Sequence, residues 1–265
     1  MSRLLLIPIF KEKICSYLSF EEIVNLRDAL TLSSLKVPIS VTDPSTQKQI
    51  IFPGVNWDTI KIYELIKHRG WYSTFTRSVE IGQNSIVQTL LTIQNINVNV
   101  TDECGWTSLM RAAHYGHNEV VKILLTVKDI DINATNHGYT ALMIAAANGQ
   151  NKVVQTLITA KNINVGATDQ KGKTALMLAC ENGRNLVIQT LLTVKDIDVN
   201  IADRKGRTSL ILAASNGYHL TVRILLTAEN INIGATDQNR WTALMIAARY
   251  GYHSMIKYLK AAGAL

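Results

Sequence analysis

Cysteine is scarce in this chain: only Cys15, Cys104 and Cys180 occur in 265 residues. Three scattered thiols cannot frame a disulfide-built fold, and they point to a reducing compartment, with the cytoplasm as the expected location. No apolar run approaches the ~18 residues that a membrane-spanning helix needs, so no membrane partner is expected. The short apolar stretch Leu4 to Phe10 is followed at once by Lys11, Glu12 and Lys13 and by no small-residue cleavage site, which argues against a secretory signal. Proline is limited to four residues, and three of them, Pro38, Pro44 and Pro53, fall close together.

Chemistry-bearing constellations are also missing. No Walker or dinucleotide glycine motif is present. The histidines, His68, His114, His117, His137, His219 and His253, show no zinc-like spacing with cysteine. No nucleophile, acid or base stands beside a partner that would tune it for catalysis. The expectation is a protein that is not an enzyme and carries neither metal nor cofactor. The net charge of +7 is spread thinly, with 9 basic and 7 acidic residues before residue 73 and 18 and 13 after it. Nucleic-acid binders concentrate basic residues with interleaved aromatics on one face, so a nucleic-acid partner is not expected.

What the chain does have is a period. A Thr-[Ala/Ser]-Leu triplet opens at Thr107, Thr140, Thr174, Thr208 and Thr242, at intervals of 33, 34, 34 and 34 residues. Each copy continues with a pair of small residues, a glycine (Gly116, Gly149, Gly183, Gly217, Gly251), a Val/Ile pair and a pair of larger aliphatics. That spacing predicts a helix, a glycine-marked turn and a second helix. Such a hairpin cannot bury its own apolar face and must stack on its neighbours. Ser73 to Gln94 repeats the pattern in degenerate form, with Ser78-Val79 in place of the small pair.

Thr140 to Ala146 (Thr-Ala-Leu-Met-Ile-Ala-Ala), Gly116-His117, Val120 to Leu125 and Asp203 to Gly206 resemble ankyrin repeats over residues 73–265, one degenerate copy and five clear ones. The resemblance implies an all-α ankyrin-repeat solenoid that binds proteins. The proline and histidine of the usual Thr-Pro-Leu-His signature are replaced, and the loop after the second helix is long. There Asp129, Asn162, Asp196 and Asn230 are expected to take the left-handed conformation that glycine usually supplies. Cys180 fills a small-residue core position and Cys104 a hairpin tip. Arg240 stands where the other tips have Gly105, Gly138, Gly172 and Gly206, which predicts a distorted final tip.

In ankyrin repeats the partner often lies on the concave side, against hairpin tips and the outer turn of the first helix. The corresponding positions here give a candidate strip. Trp106, His114, Tyr115 and Tyr139 stand at one end, Lys171, Lys173, Arg204, Lys205 and Arg207 in the middle, and Trp241, Arg249 and Tyr250 at the other end. Aromatic and arginine side chains are the commonest anchors of protein interfaces. A groove of this kind suits a partner segment that is acidic at its centre and apolar at its ends. Hairpin-tip lysines and arginines that merely solubilise, and tryptophans that merely pack, are the competing reading.

The first quarter does not repeat. Residues 37–57, rich in Ser, Thr and Asp and holding the clustered prolines, read as a linker. Residues 58–72 read as an amphipathic helix capping the stack, ended at Gly70. Residues 1–36 read as short helices, with Ser19 and Glu22 forming a capping box. The string Pro8, Ile14, Leu18, Ile23, Leu26 resembles the start of an F-box, the segment that docks on the adaptor of cullin-based ubiquitin ligases. That resemblance implies a substrate receptor whose repeats hold the target. The alternative is a plain repeat scaffold or inhibitor whose N-terminal helices only cap the stack.

Overall fold

The computed structural model describes residues 39–42, 49–52, 71–92 and 97–264. The F-box-like positions Pro8, Ile14, Leu18, Ile23 and Leu26 lie outside the described residues, as do residues 58–70 of the expected capping helix. Residues 37–57 hold more than a linker. Strands β1 (Ile39–Thr42) and β2 (Gln49–Phe52) pair antiparallel, Ile39 opposite Phe52 and Thr42 opposite Gln49. The β-branched Ile, Val and Thr of these segments favour extended backbone. In the sequence Pro38 directly precedes β1 and Pro53 directly follows β2. Two of the three clustered prolines thus bracket the strand pair in sequence, and Pro44 falls between the strands.

Twelve helices follow among the described residues: α1 (Trp71–Glu80), α2 (Asn84–Leu91), α3 (Ser108–Tyr115), α4 (Asn118–Leu125), α5 (Ala141–Asn148), α6 (Asn151–Ile158), α7 (Ala175–Glu181), α8 (Asn185–Leu192), α9 (Ser209–Ser215), α10 (His219–Leu225), α11 (Ala243–Arg249) and α12 (His253–Ala261). They form six helical pairs. The chain divides into two compact units between Asn97 and Val98. Pair α1–α2, the degenerate copy, thus falls in the first unit, apart from the five regular pairs. It is described from Trp71 onward. Phe75, Val79, Val87 and Leu90 are its buried apolar residues, with Thr74 and Ser78 buried beside them.

In the second unit α3, α5, α7, α9 and α11 pack in series, and α4, α6, α8, α10 and α12 form a second, parallel row. The recurring threonine explains where each first helix starts. Thr107, Thr140, Thr174, Thr208 and Thr242 have extended backbone, and each Oγ1 accepts a hydrogen bond from the N–H three residues on, at 3.2–3.4 Å. That cap is typically worth about 1 kcal/mol. Inside the stack these helices are buried on every side: Ala141 to Ala146, Ala175 to Cys180 and Ser209 to Ala214 carry no exposed residue. Their alanines keep neighbouring helices close. Cys180 is fully buried and Cys104 exposed, and burial pushes the Cys180 thiol pKa up.

The single 33-residue interval arises at a hairpin tip. Four tips have five residues, as in Asp102 to Trp106, closed by Asp102 N–H to Trp106 C=O at 2.9 Å. The second tip has four, Asn136 to Tyr139, and turns through positive φ at both His137 (49°) and Gly138 (82°). It is a type I′ turn, in which Asn136 and Tyr139 exchange both backbone hydrogen bonds, at 3.1 and 2.8 Å.

Two sequence expectations need correction. Of the four loop residues expected in the left-handed region, Asn162 (φ 65°) and Asp196 (φ 59°) adopt it, but Asp129 and Asn230 do not. The carbonyls of Asp129 and Asn230 are held by asparagine side chains of the preceding loop. Those clamps fix the loop without a left-handed residue at these two sites, although Asn162 combines both. The final tip is also undistorted. Arg240 has φ 63°, donates its N–H to Asp237 C=O at 2.9 Å, and leaves the Asp237 to Trp241 closure intact at 3.0 Å. The tip hydrogen bonds outweigh the cost of a left-handed non-glycine residue.

Candidate partner-binding strip

Two columns of the repeat build the strip: the residue before the capping threonine and the residue seven after it. In three of the five units they meet. Trp106 meets His114 edge to face, with ring centroids 5.3 Å apart. Lys173 Nζ reaches both carboxylate oxygens of Glu181 at 2.6 Å. The Arg249 guanidinium lies 5.2 Å from the Trp241 ring centre. In the other two units the second column is Ala147 or Ser215, too short to reach across. Arg207 turns instead onto Asp203, with Nε and Nη2 at 2.9 and 2.6 Å from Oδ2.

These pairings change the charge of the expected basic centre. Lys173 is 6% exposed and is neutralised by Glu181, and Arg207 is half-buried and neutralised by Asp203. The expectation that both offer free cations is corrected: the side chains fold back to lock the tip, because a buried charge needs a partner. Lys171, Arg204 and Lys205 stay exposed at the tips. Lys171 and Lys205 give their carbonyls to the next hairpin, accepting from Arg204 and Gln238 N–H at 2.9 Å.

The tip carboxylates do structural work. Oδ1 of Asp102, Asp169, Asp203 and Asp237 each accepts two backbone N–H groups of its own tip, at 2.8–2.9 Å. Asp102 Oδ2 binds Arg111, whose guanidinium also lies over the Trp106 ring at 5.0 Å. Asp169 Oδ2 is buried with no partner in hydrogen-bonding geometry. Burial first, then the Asp169 charge, raise the Tyr139 hydroxyl pKa above its ordinary value.

Asp203 makes the acid response testable. Burial alone would raise its carboxyl pKa, but the Arg207 side chain and the Arg207 and Lys205 N–H groups outweigh burial and hold it below the ordinary value. Its contribution to stability is therefore complete above an ordinary carboxyl pKa of about 4 and is lost as pH falls through the lower folded value. Asp203→Asn should melt below the parent protein at pH 7, and the gap in melting temperature should shrink as pH falls below about 4. A gap independent of pH would show that the carboxylate charge contributes nothing.

The eighth residue after each threonine forms the outermost row. In the middle units it is Asn148, Asn182 or Asn216, each donating Nδ2–H to the carbonyl four residues back at 2.8–2.9 Å. In the outer units it is a tyrosine that projects: Tyr115 is 46% and Tyr250 58% exposed. Tyr115 is flanked by His114 and His117, and Tyr250 stacks on Tyr252 at 5.7 Å. Arg111 and Tyr252 thus join the candidate strip, although sequence reasoning had not picked them out, and Glu181 enters it as the partner of Lys173. Among the described residues no group of three or more His, Cys, Asp or Glu is placed to hold a metal ion, and no helix is long and apolar enough to cross a membrane.

Comparison with known proteins agrees with this geometry. The family model for ankyrin repeats (3 copies) matches residues 75–169, 160–237 and 176–264, more than half of the chain. The crystal structure of an ankyrin repeat domain from Acinetobacter baumannii aligns with a TM-score of 0.65 at 26% identity, covering 72% of this chain and 97% of that one. The crystal structure of a second ankyrin repeat protein aligns with a TM-score of 0.65 at 23% identity, covering 70% and 96%, a likeness of fold alone. A search of curated proteins finds no match. With five stacked helical pairs, threonine-capped first helices and a family match across them, the chain belongs to the ankyrin-repeat family.

Proposed function

We propose that this protein is an interaction scaffold whose tip-and-first-helix strip holds an extended segment of a protein partner. The observation that carries the reading is the pair of exposed tyrosines, Tyr115 and Tyr250, at opposite ends of a row whose middle positions are asparagine. Each is backed by aromatic neighbours that limit its rotamers, so little side-chain entropy is lost on binding. Between them the free cations are Lys171, Arg204 and Lys205, with Arg249 beside Tyr250. They suit a segment acidic at its centre and apolar at its ends. Trp106, His114, Tyr139, Lys173, Arg207 and Trp241 support this surface from within. The F-box reading rests on residues outside those described, and the proposal does not use it.

The test is capture from cell extract with the parent protein, with Tyr115→Ala/Tyr250→Ala, and with Leu186→Ala, which alters an exposed side chain of α8 on the other row. Partners recovered with the parent and with Leu186→Ala, but lost with the tyrosine pair, support the strip. For a purified partner, the tyrosine pair should mainly shorten the lifetime of the complex. Lys171→Glu/Lys205→Glu should slow association and weaken its salt dependence. Partners lost only with Leu186→Ala would place the interface on the second-helix row.

A further inference from the structure

A second ladder, on the loops that follow the second helices, is broken at one interior position. Asn99 donates Nδ2–H to Asp129 C=O at 2.7 Å and accepts Asp131 N–H on Oδ1 at 2.8 Å. Asn133 does the same with Asn162 C=O and Asn164 N–H, at 2.8 and 2.9 Å. Asn200 repeats it with Asn230 C=O and Asn232 N–H, at 2.6 and 2.8 Å. Each carboxamide uses its donor and its acceptor together and ties its loop to the next. The residue in register between Asn133 and Asn200 is Gly166, which has no side chain. The groups it would have met are the Asp196 carbonyl and the Asp198 N–H. Neither makes a hydrogen bond among the described residues.

A cavity of about 340 Å³ stands at this gap, bordered by Gly166, Asp196 and Asp198. Its apolar lining includes Ile163, Val165 and Ile197. The residues that carry this acceptor and this donor, Asp196 and Asp198, thus both border a space large enough for a side chain. The same pair in three neighbouring junctions is filled by a primary carboxamide.

We propose that this cavity is a binding site for a primary carboxamide, the side chain of an asparagine or glutamine carried by a protein partner. The chemistry discriminates. A carboxamide offers N–H and C=O on one edge. A trans peptide group points them in opposite directions and cannot meet both. A carboxylate would set oxygen against the Asp196 carbonyl. The aliphatic lining suits the methylenes of the incoming side chain. This site lies on the loops, away from the tyrosine row, and does not depend on that strip.

Amide-resolved NMR tests it with isovaleramide and with acetyl-Ala-Gln-Ala-N-methylamide. Both should shift the Gly166 and Asp198 resonances saturably, the peptide at lower concentration. N-methylisovaleramide and the Glu version of the peptide should not. In Gly166→Asn the protein's own side chain should fill the gap, raise the melting temperature and abolish both responses. That variant has room, because an added Cβ at Gly166 would meet nothing closer than Asn164 Oδ1 at 3.8 Å. Equal shifts from the N-methyl amide, undiminished shifts in Gly166→Asn, or no saturable shift would overturn the proposal. A response to isovaleramide without one to the Gln peptide would overturn its assignment to a protein side chain.

Discussion

Leu191→Ala should cost about 2–5 kcal/mol and spread its damage unevenly along the stack. Leu191 is fully buried on α8, which packs against α7 of its own unit and against α6 and α10 of the units on either side. Removing its side chain leaves a cavity that close-packed neighbours refill only in part. Stability in a repeat array is approximately a sum of unit terms and nearest-neighbour interface terms. Hydrogen-exchange protection should therefore fall most in α7 and α8, less in the adjoining pairs α5–α6 and α9–α10, and least in α3, α4, α11 and α12. Uniform loss from Val98 onward would mean that the five pairs unfold as one block. The interlocks give the array its reach: Thr156, Thr190 and Thr221 each donate a hydroxyl hydrogen to an asparagine Oδ1 of the preceding second helix, at 2.7–2.8 Å.

The repeat itself was legible because its signals are local and periodic. Each copy carries a capping threonine, a small pair and a left-handed glycine at fixed offsets, so the helical pairs could be placed without knowing their neighbours. What escaped was whatever depended on two positions at once. Lys173 and Arg207 read as one basic column, and only the second column, with Glu181 against Ser215, decides where each charge goes. Reading positions before and seven after the threonine together would have shown Lys173 facing Glu181 and Trp241 facing Arg249. The asparagine clamps were equally present in the sequence, at Asn99, Asn133 and Asn200. They were invisible as such, because their partners are backbone groups about thirty residues on. Hairpin β1–β2 was hidden by a different conflict: proline density read as a break, whereas pairing across the turn sets the local conformation of the β-branched segments between the prolines.

Two of the residues at the left-handed tip position, Gly138 and Arg240, should respond in opposite ways. At Gly138, with φ +82°, an added Cβ would lie 2.8 Å from the Gln170 backbone N and 3.0 Å from the Asp169 Cα. Backbone atoms of the next hairpin cannot rotate away as a side chain would. Gly138→Ala should therefore cost the left-handed penalty of roughly 1–2 kcal/mol and more for parting two hairpins. The loss should centre on the junction of Tyr139 with Asp169, the residue whose charge helps raise the Tyr139 pKa. At Arg240 no further hairpin stands beyond the tip among the described residues, so only the backbone cost applies. Arg240→Gly should relieve that strain while adding freedom to the unfolded chain, for a net gain below about 1 kcal/mol. Thermal melts of the two variants beside the parent decide the matter. A Gly138→Ala protein as stable as the parent would mean that the tips do not depend on close backbone approach. A clear loss for Arg240→Gly would mean that the arginine side chain, and not the turn, holds the last tip.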